Sequence, residues 1–260
     1  MKYGFIGCGN MGGALARALA KTTRDFTVCD RSGRAKALAT ELGCAYSDPE
    51  TIAKTCDRIF LAVKPHMMQG VLEPLAPILQ ERKPTLISMA AGLEMGKIEA
   101  FAGGNLPVIR IMPNTPAHIG KGVVLYCANP LVEKPVLEEF LLDMAPAGVL
   151  SDLEEKLMDA GSALSGSGPA YTYLFIEALA DGAVACGIPR AKAMEYAALT
   201  LIGSAEMVLA SGKHPGELKD AVCSPGGSTI AALRVLEEKA FRSAAMECVC
   251  AAYRRNKELG

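Results

Sequence analysis

Two stretches of this 260-residue chain carry residue types at spacings that could do chemistry. In Lys2-Tyr-Gly-Phe-Ile-Gly7-Cys-Gly9-Asn-Met-Gly12, glycines stand at 7, 9 and 12. That spacing lets a chain turn tightly, admit a pyrophosphate against bare backbone and pack a helix on its strand. An Ala/Leu-rich run to Ala20 follows, so the anion would rest on the free N–H groups of a helix start. In the second stretch, Asp220-Ala-Val-Cys-Ser224-Pro-Gly-Gly-Ser228-Thr229, Pro225, Gly226 and Gly227 break one helix and leave Ser228 and Thr229 opening the next. Free N–H groups, hydroxyls and the positive end of a helix dipole suit a small carboxylate.

Other polar residues fall where a dinucleotide would pass. Phe26-Thr-Val-Cys29 reads as a second strand ending in Asp30, with Arg31-Ser32-Gly-Arg34 after it. An acid there favours the ribose hydroxyls of NAD, whereas Arg and Ser favour the 2′-phosphate of NADP. Both are present, so the choice between NADH and NADPH stays open. The strand Arg58–Val63 stops at Lys64-Pro65, and Lys64 emerges where a nicotinamide would lie. The small residues of Met89-Ala90-Ala91-Gly92 would let a cofactor approach closely. Pro113 and Pro116 clamp Asn114 and Thr115 in a stiff loop, and Asn114 is expected to face the cofactor.

These residues need a scaffold, and strand and helix patterns alternate through residue 150. The alternation predicts an α/β, Rossmann-like, doubly wound and mostly parallel sheet covered by helices. Ser47-Asp48-Pro49-Glu50 reads as a helix cap, and a helix is predicted over Met67–Gln80. From Asp152 onward only helix-period patterns remain, which divides the chain into a dinucleotide-binding domain, 1–150, and an all-helical domain, 151–260. Runs such as Ala178–Ala185 and Ala197–Ile202 are apolar nearly all round. About a hundred residues cannot bury five such helices alone, which predicts a homodimer through the helical domain.

The net charge of −1 leaves no electrostatic footprint for nucleic acid or an anionic membrane. No long apolar run is free of charged or turn residues, so no membrane partner is expected. The N-terminus runs straight into a strand, without a leader pattern, and a cytoplasmic location is expected. The nine cysteines, an odd number without a C-x-x-C pair, read as reduced, buried small hydrophobes, and no metal site is expected.

Taken together, these motifs resemble the pyrroline-5-carboxylate reductases. The resemblance spans nearly the whole chain and rests on Phe5-Ile-Gly-Cys-Gly-Asn-Met11, Ala62-Val-Lys-Pro65, Ala90-Ala-Gly92, Met112-Pro-Asn-Thr-Pro116, Ala163-Leu-Ser-Gly-Ser-Gly-Pro-Ala-Tyr171, and His214–Asp220 running into Ser224-Pro-Gly-Gly-Ser-Thr229. Many relatives have Thr where this chain has Ser228; a hydroxyl is kept. The resemblance implies a Rossmann-like domain followed by a helical dimerisation domain, often assembled further into decamers. It also implies NAD(P)H-dependent reduction of the cyclic imine Δ1-pyrroline-5-carboxylate to L-proline. By the same resemblance Ile6, Gly7, Cys8, Gly9, Asn10 and Met11 would hold the pyrophosphate. Arg31 and Ser32 would lie by the adenine ribose, and Ala62, Val63, Lys64 and Pro65 with Met89, Ala90 and Ala91 along the cofactor. Ser224, Gly227, Ser228 and Thr229 would take the substrate carboxylate, with the Thr229 hydroxyl near the ring nitrogen as the catalytic group, and Glu155 as a further substrate contact.

Imine reduction fits these residues on chemical grounds too. A cyclic imine can arrive already protonated, so no strong enzymic acid is needed and positioning supplies much of the rate. A hydroxyacid dehydrogenase of similar build would need a cationic acid/base on the linking helix, and 161–186 contains no lysine. A silent nucleotide sensor would have no use for the Ser224–Thr229 pocket.

Overall fold

Short β-rich runs between helix-forming segments give the first part of the chain its sheet. The computed structural model describes residues 1–259. In chain order the elements are β1 (Tyr3–Ile6), α1 (Asn10–Leu19), β2 (Phe26–Cys29), α2 (Arg34–Leu42), β3 (Ala45–Tyr46), α3 (Pro49–Thr55) and β4 (Arg58–Leu61). Then come α4 (Met68–Leu72), α5 (Ala76–Arg82), β5 (Thr85–Ser88), α6 (Met95–Phe101), β6 (Val108–Met112), β7 (Gly122–Ala128), α7 (Lys134–Met144), β8 (Gly148–Asp152) and α8 (Met158–Gly161).

The eight strands form one sheet in the order β3-β2-β1-β4-β5-β6-β7-β8. Every neighbouring pair is parallel except β6 with β7. The first six strands follow the dinucleotide-binding order, which reverses between β1 and β4. Residues of β1 and β4 alternate between two cores, one on each face of the sheet. Ile6, Ile59 and Leu61 join Ile52, Met68 and Leu72 on one side. Tyr3, Phe5 and Phe60 join Leu15, Phe26 and Phe140 on the other, where the rings of Phe5 and Phe60 stack with centroids 4.3 Å apart. Period-two alternation with both faces covered is what a buried parallel sheet requires.

Two expectations need correction. The helix predicted over Met67–Gln80 is broken: a 3₁₀ turn at Glu73–Leu75 separates α4 from α5. Pro74 and Pro77 are the cause, since each lacks the N–H a continuous helix would use. By its own packing the first compact unit comprises residues 1–167 together with the last helix from Ala252 onward. Buried Arg110 on β6 draws Glu155 and Asp159 to the sheet by ion pairs of 3.5 and 3.1 Å. Between α8 and Ser167, Ser162–Gly166 forms a π-helical turn. The cysteines are all unpaired, but Cys186 and Cys250 are exposed rather than buried: Cys186 stands in the turn just after α9, and Cys250 is on an uncovered position of α13.

The second unit, Gly168–Ala251, is helical: α9 (Gly168–Ala185), α10 (Arg190–Ser211), α11 (Pro215–Ala221), α12 (Ser228–Glu238) and most of α13 (Phe241–Leu259). Its buried cluster consists of Ala180, Ala193 and Ala197. By length and composition alone α10 is apolar enough to cross a bilayer, and Glu195 and Glu206 interrupt its apolar run, as charged or turn residues do every such run of this sequence.

Candidate active site

The three glycines divide their work as their spacing requires. Gly7 follows β1 at φ +103°, a conformation L side chains rarely adopt, and a Cβ there would stand 2.5 Å from the Ala62 carbonyl oxygen. A Cβ on Gly12 would meet the Gly7 carbonyl oxygen at 2.5 Å, so α1 lies directly on the strand ends. Around Gly9 nothing lies within 4 Å of such an atom, leaving bare backbone for an incoming group. Gly9 caps α1 without a side-chain hydrogen bond, and the first N–H groups of a helix have no intrahelical acceptor. A diphosphate fits this cradle. The Cys8 side chain turns away from it, its Sγ 3.6 Å from the Cys29 carbonyl oxygen. Burial pushes the Cys8 thiol up to about 12, so it stays protonated and offers the cradle only its backbone.

A crevice of about 1350 Å³ opens at the carboxyl ends of β1, β2 and β4. Of the predicted cofactor residues, Ile6, Gly7, Cys8, Gly9, Arg31, Ser32, Ala62, Val63 and Lys64 line it. Asp30 lines it too, but its carboxylate is occupied: Oδ1 accepts from the Ser32 N–H at 3.0 Å and Oδ2 from the Ser32 hydroxyl at 3.1 Å. Arg31 and Arg34 are exposed beside it. Lys64 is also exposed, and its ammonium has no partner among the described residues. Met67, Val71, Tyr46 and Asp48 line the crevice and were missed from sequence. Tyr46 ends β3 and Asp48 follows it, where ligands of such sheets sit, which is a positional signal; Met67 and Val71 come from the 3₁₀ turn and α4 after β4.

Asn10, Met11 and Pro65 are on the rim elements, and Met89, Ala90 and Ala91 lie at the end of β5, outside the crevice lining. Asn114 is not brought to the crevice. Its Oδ1 accepts from the Val123 N–H at 2.9 Å and its Nδ2 donates to the Ser165 carbonyl at 3.0 Å. Both ends of the amide are thereby committed to holding β7 and the π-helical turn. Glu155 is likewise engaged, accepting from the Met95 N–H at 2.6 Å at the start of α6 and lying 3.5 Å from Arg110.

In the helical unit, Ser224 to Thr229 form the turn between α11 and α12. Gly227 caps α12, and its N–H donates to the Ser224 carbonyl at 3.0 Å. A Cβ on Gly227 would come within 2.4 Å of the Ser224 Oγ, so glycine is needed for the hydroxyl to rest there. Among the described residues the hydroxyls of Ser224, Ser228 and Thr229 make no hydrogen bond. Ser228 and Thr229 open an eleven-residue helix, with Ser224 in the turn just before it, an arrangement that accepts an anion.

A family model described as pyrroline-5-carboxylate reductase dimerisation matches residues 155–259. Another, described as NADP oxidoreductase, coenzyme F420-dependent, matches residues 2–92. The pyrroline-5-carboxylate reductase of Escherichia coli is 39% identical over 264 residues, covering 99% of this chain and 98% of the relative. This chain belongs to the pyrroline-5-carboxylate reductase family. The reductase of Synechocystis is 44% identical over 213 residues, 82% of this chain and 79% of that relative. Among solved structures, the Plasmodium falciparum pyrroline carboxylate reductase with NADP bound shares 35% identity at a TM-score of 0.89, over 100% of this chain and 98% of that one. The match to this reductase family thus takes in both the glycine turn and the Ser224–Thr229 turn, which lie on separate units.

Proposed function

We propose that the chain reduces Δ1-pyrroline-5-carboxylate to L-proline, using NADPH and accepting NADH. The observation that carries this reading is the near-complete coverage at 39% identity, which spans both anion cradles. When bound, the nicotinamide cofactor supplies the hydride. The glycine turn and the α1 N-terminus hold its diphosphate, and Arg31 and Ser32 its adenine-side ribose phosphate. Asp30 keeps its negative charge beside that phosphate, but its two oxygens are turned to Ser32. Lys64 stands free at the end of β4 to meet the cofactor or substrate.

At the other cradle the α12 N–H groups and the Ser224 and Ser228 hydroxyls take the substrate carboxylate, with Gly227 keeping the turn open. The Thr229 hydroxyl hydrogen-bonds the ring nitrogen and orients the imine. Protonated C=N gains a hydride at carbon and becomes the secondary amine, so the proton on nitrogen is retained and no strong acid is required. Asn114 and Glu155 serve in this reading as braces of the scaffold.

The chain works as a homodimer joined through the helical unit, with decamers a further level of assembly. Support comes from the apolar residues that unit leaves exposed, Leu174, Leu199, Ile202 and Leu209 among them. Patches of this kind mark association surfaces. Nine free cysteines suit a reducing compartment, the cytoplasm. Loss of NADPH absorbance on adding pyrroline-5-carboxylate, with proline identified as product, tests the activity. No oxidation of either NADPH or NADH above the substrate-free rate would refute it.

A further inference from the structure

We propose that Arg110 is a positioning residue for this reduction: it fixes the first unit's ends of both chain segments that lead to the Ser224–Thr229 turn. The proposal rests on the reading of that turn as the substrate site. Arg110 sits in the middle of β6 and is 1% exposed. Burying a guanidinium is costly even when it is paired, and an apolar side chain of similar volume is often as stable or more so. Here the cost is not fully met, since the Arg110 Nε has no hydrogen-bond partner. Stability alone therefore does not account for an arginine at this position.

Its contacts do. Nη2 donates to Asp159 Oδ1 at 3.1 Å, and Nη1 lies 3.5 Å from Glu155 Oε1. Both acids are on the segment by which the chain leaves the first unit at Ser167. The chain returns at Ala252, and there Asn256 Nδ2 donates to the Asp159 carbonyl at 3.0 Å while Lys257 Nζ lies 3.8 Å from Asp159 Oδ2. Outgoing and returning segments are thus tied to one aspartate, and that aspartate to one buried arginine. Hydride transfer tolerates little slack, a misplacement of about 1 Å being able to lower a rate about 100-fold.

Arg58 on β4 supplies an internal control. It is also fully buried, also lacks a partner for Nε, and pairs with Glu139 and Asp143 of α7. None of its partners lies on the outgoing or returning segment.

Arg110→Lys, Asp159→Asn and Arg58→Lys are compared in NADPH affinity, kcat and the primary isotope effect with NADPH deuterated at the transferred position. Arg110→Lys and Asp159→Asn should lower kcat about 10- to 100-fold and raise the isotope effect as hydride transfer becomes limiting. NADPH Kd should stay within about twofold, and Arg58→Lys should keep kcat within about twofold. A folded Arg110→Lys enzyme with wild-type kcat and isotope effect overturns the proposal, as does an equal loss in Arg58→Lys. Where Arg110→Lys does not fold, Asp159→Asn and Asn256→Ala decide on the same criteria. Wild-type turnover is measured first: its absence refutes the reaction itself, whereas turnover that the variants leave unchanged refutes only the role of Arg110.

Discussion

The nucleotide-binding unit and the helical unit solve the problem of burial in opposite ways. The first closes two apolar cores over the faces of its sheet and keeps even Arg58 and Arg110 out of water. The second buries three alanines and leaves Leu174 68% and Leu209 85% exposed. At about 25 cal/mol for each Å² of apolar surface removed from water, helices this bare gain little from folding alone. One unit closes its apolar surface within a single chain, and the other leaves much of its apolar surface uncovered there. The two anion cradles follow the same division. Gly7 and Gly12 are jammed against backbone, while the serine and threonine hydroxyls of the second turn stand open.

Four variants sharpen or break this contrast. The largest effect should come from Thr229→Val, which removes an open hydroxyl without touching the packed unit. Turnover should fall about 10- to 1000-fold through lost orientation and hydrogen bonding. NADPH Kd, read by cofactor fluorescence, should not move, and undiminished turnover would remove Thr229 from the mechanism. Next is the double change Leu199→Glu with Ile202→Glu on α10. Charges at a surface that is buried on association should cost about 3 kcal/mol or more of assembly energy. Light scattering at micromolar protein should then show monomers, with cofactor binding by the first unit intact; an unchanged particle mass would show the helical unit does not associate through α10.

Gly12→Ala comes third, and acts on the closed unit. Its added carbon would press on the Gly7 carbonyl, and overpacking of this kind costs about 1–3 kcal/mol. NADPH affinity should fall about 10- to 100-fold while the particle mass is unaltered. Smallest is Asp30→Ala. Removing a half-buried surface charge near a phosphate is worth about 0.2–1 kcal/mol, so the NADPH:NADH ratio of kcat/KM should rise up to about fivefold. A fall in that ratio would mean that holding Ser32 outweighs the repulsion.

Local pattern carried the sequence reading a long way. Gly7, Gly9 and Gly12 each reveal a role through spacing alone, and Asp48 does cap α3 through the Thr51 N–H at 2.8 Å. The Ser224–Thr229 turn was legible for the same reason, being made by neighbours in sequence. What escaped was decided by distant partners. Arg110 pairs with a carboxylate 49 residues away, so the first unit's extension to Ser167 is invisible to any window along the chain. Asn114 spends its amide on Val123 and Ser165 for similar reasons, although its clamping prolines had marked the loop. Pro74 and Pro77 break α4 from α5 although the apolar period runs on through both. Cys186 and Cys250 are exposed where an apolar neighbourhood predicts burial, because the helical unit, unlike the sheet, does not enclose its own helices.

The contact between Gly12, Gly7 and Ala62 also bears on re-engineering. Glycine is already the smallest residue available, so no exchange among these positions can make room for a larger one. Attempts to change which cofactor is consumed are steered to the far corner, where Arg31, Ser32 and Arg34 stand clear of the packed interior and can be varied without disturbing the diphosphate grip.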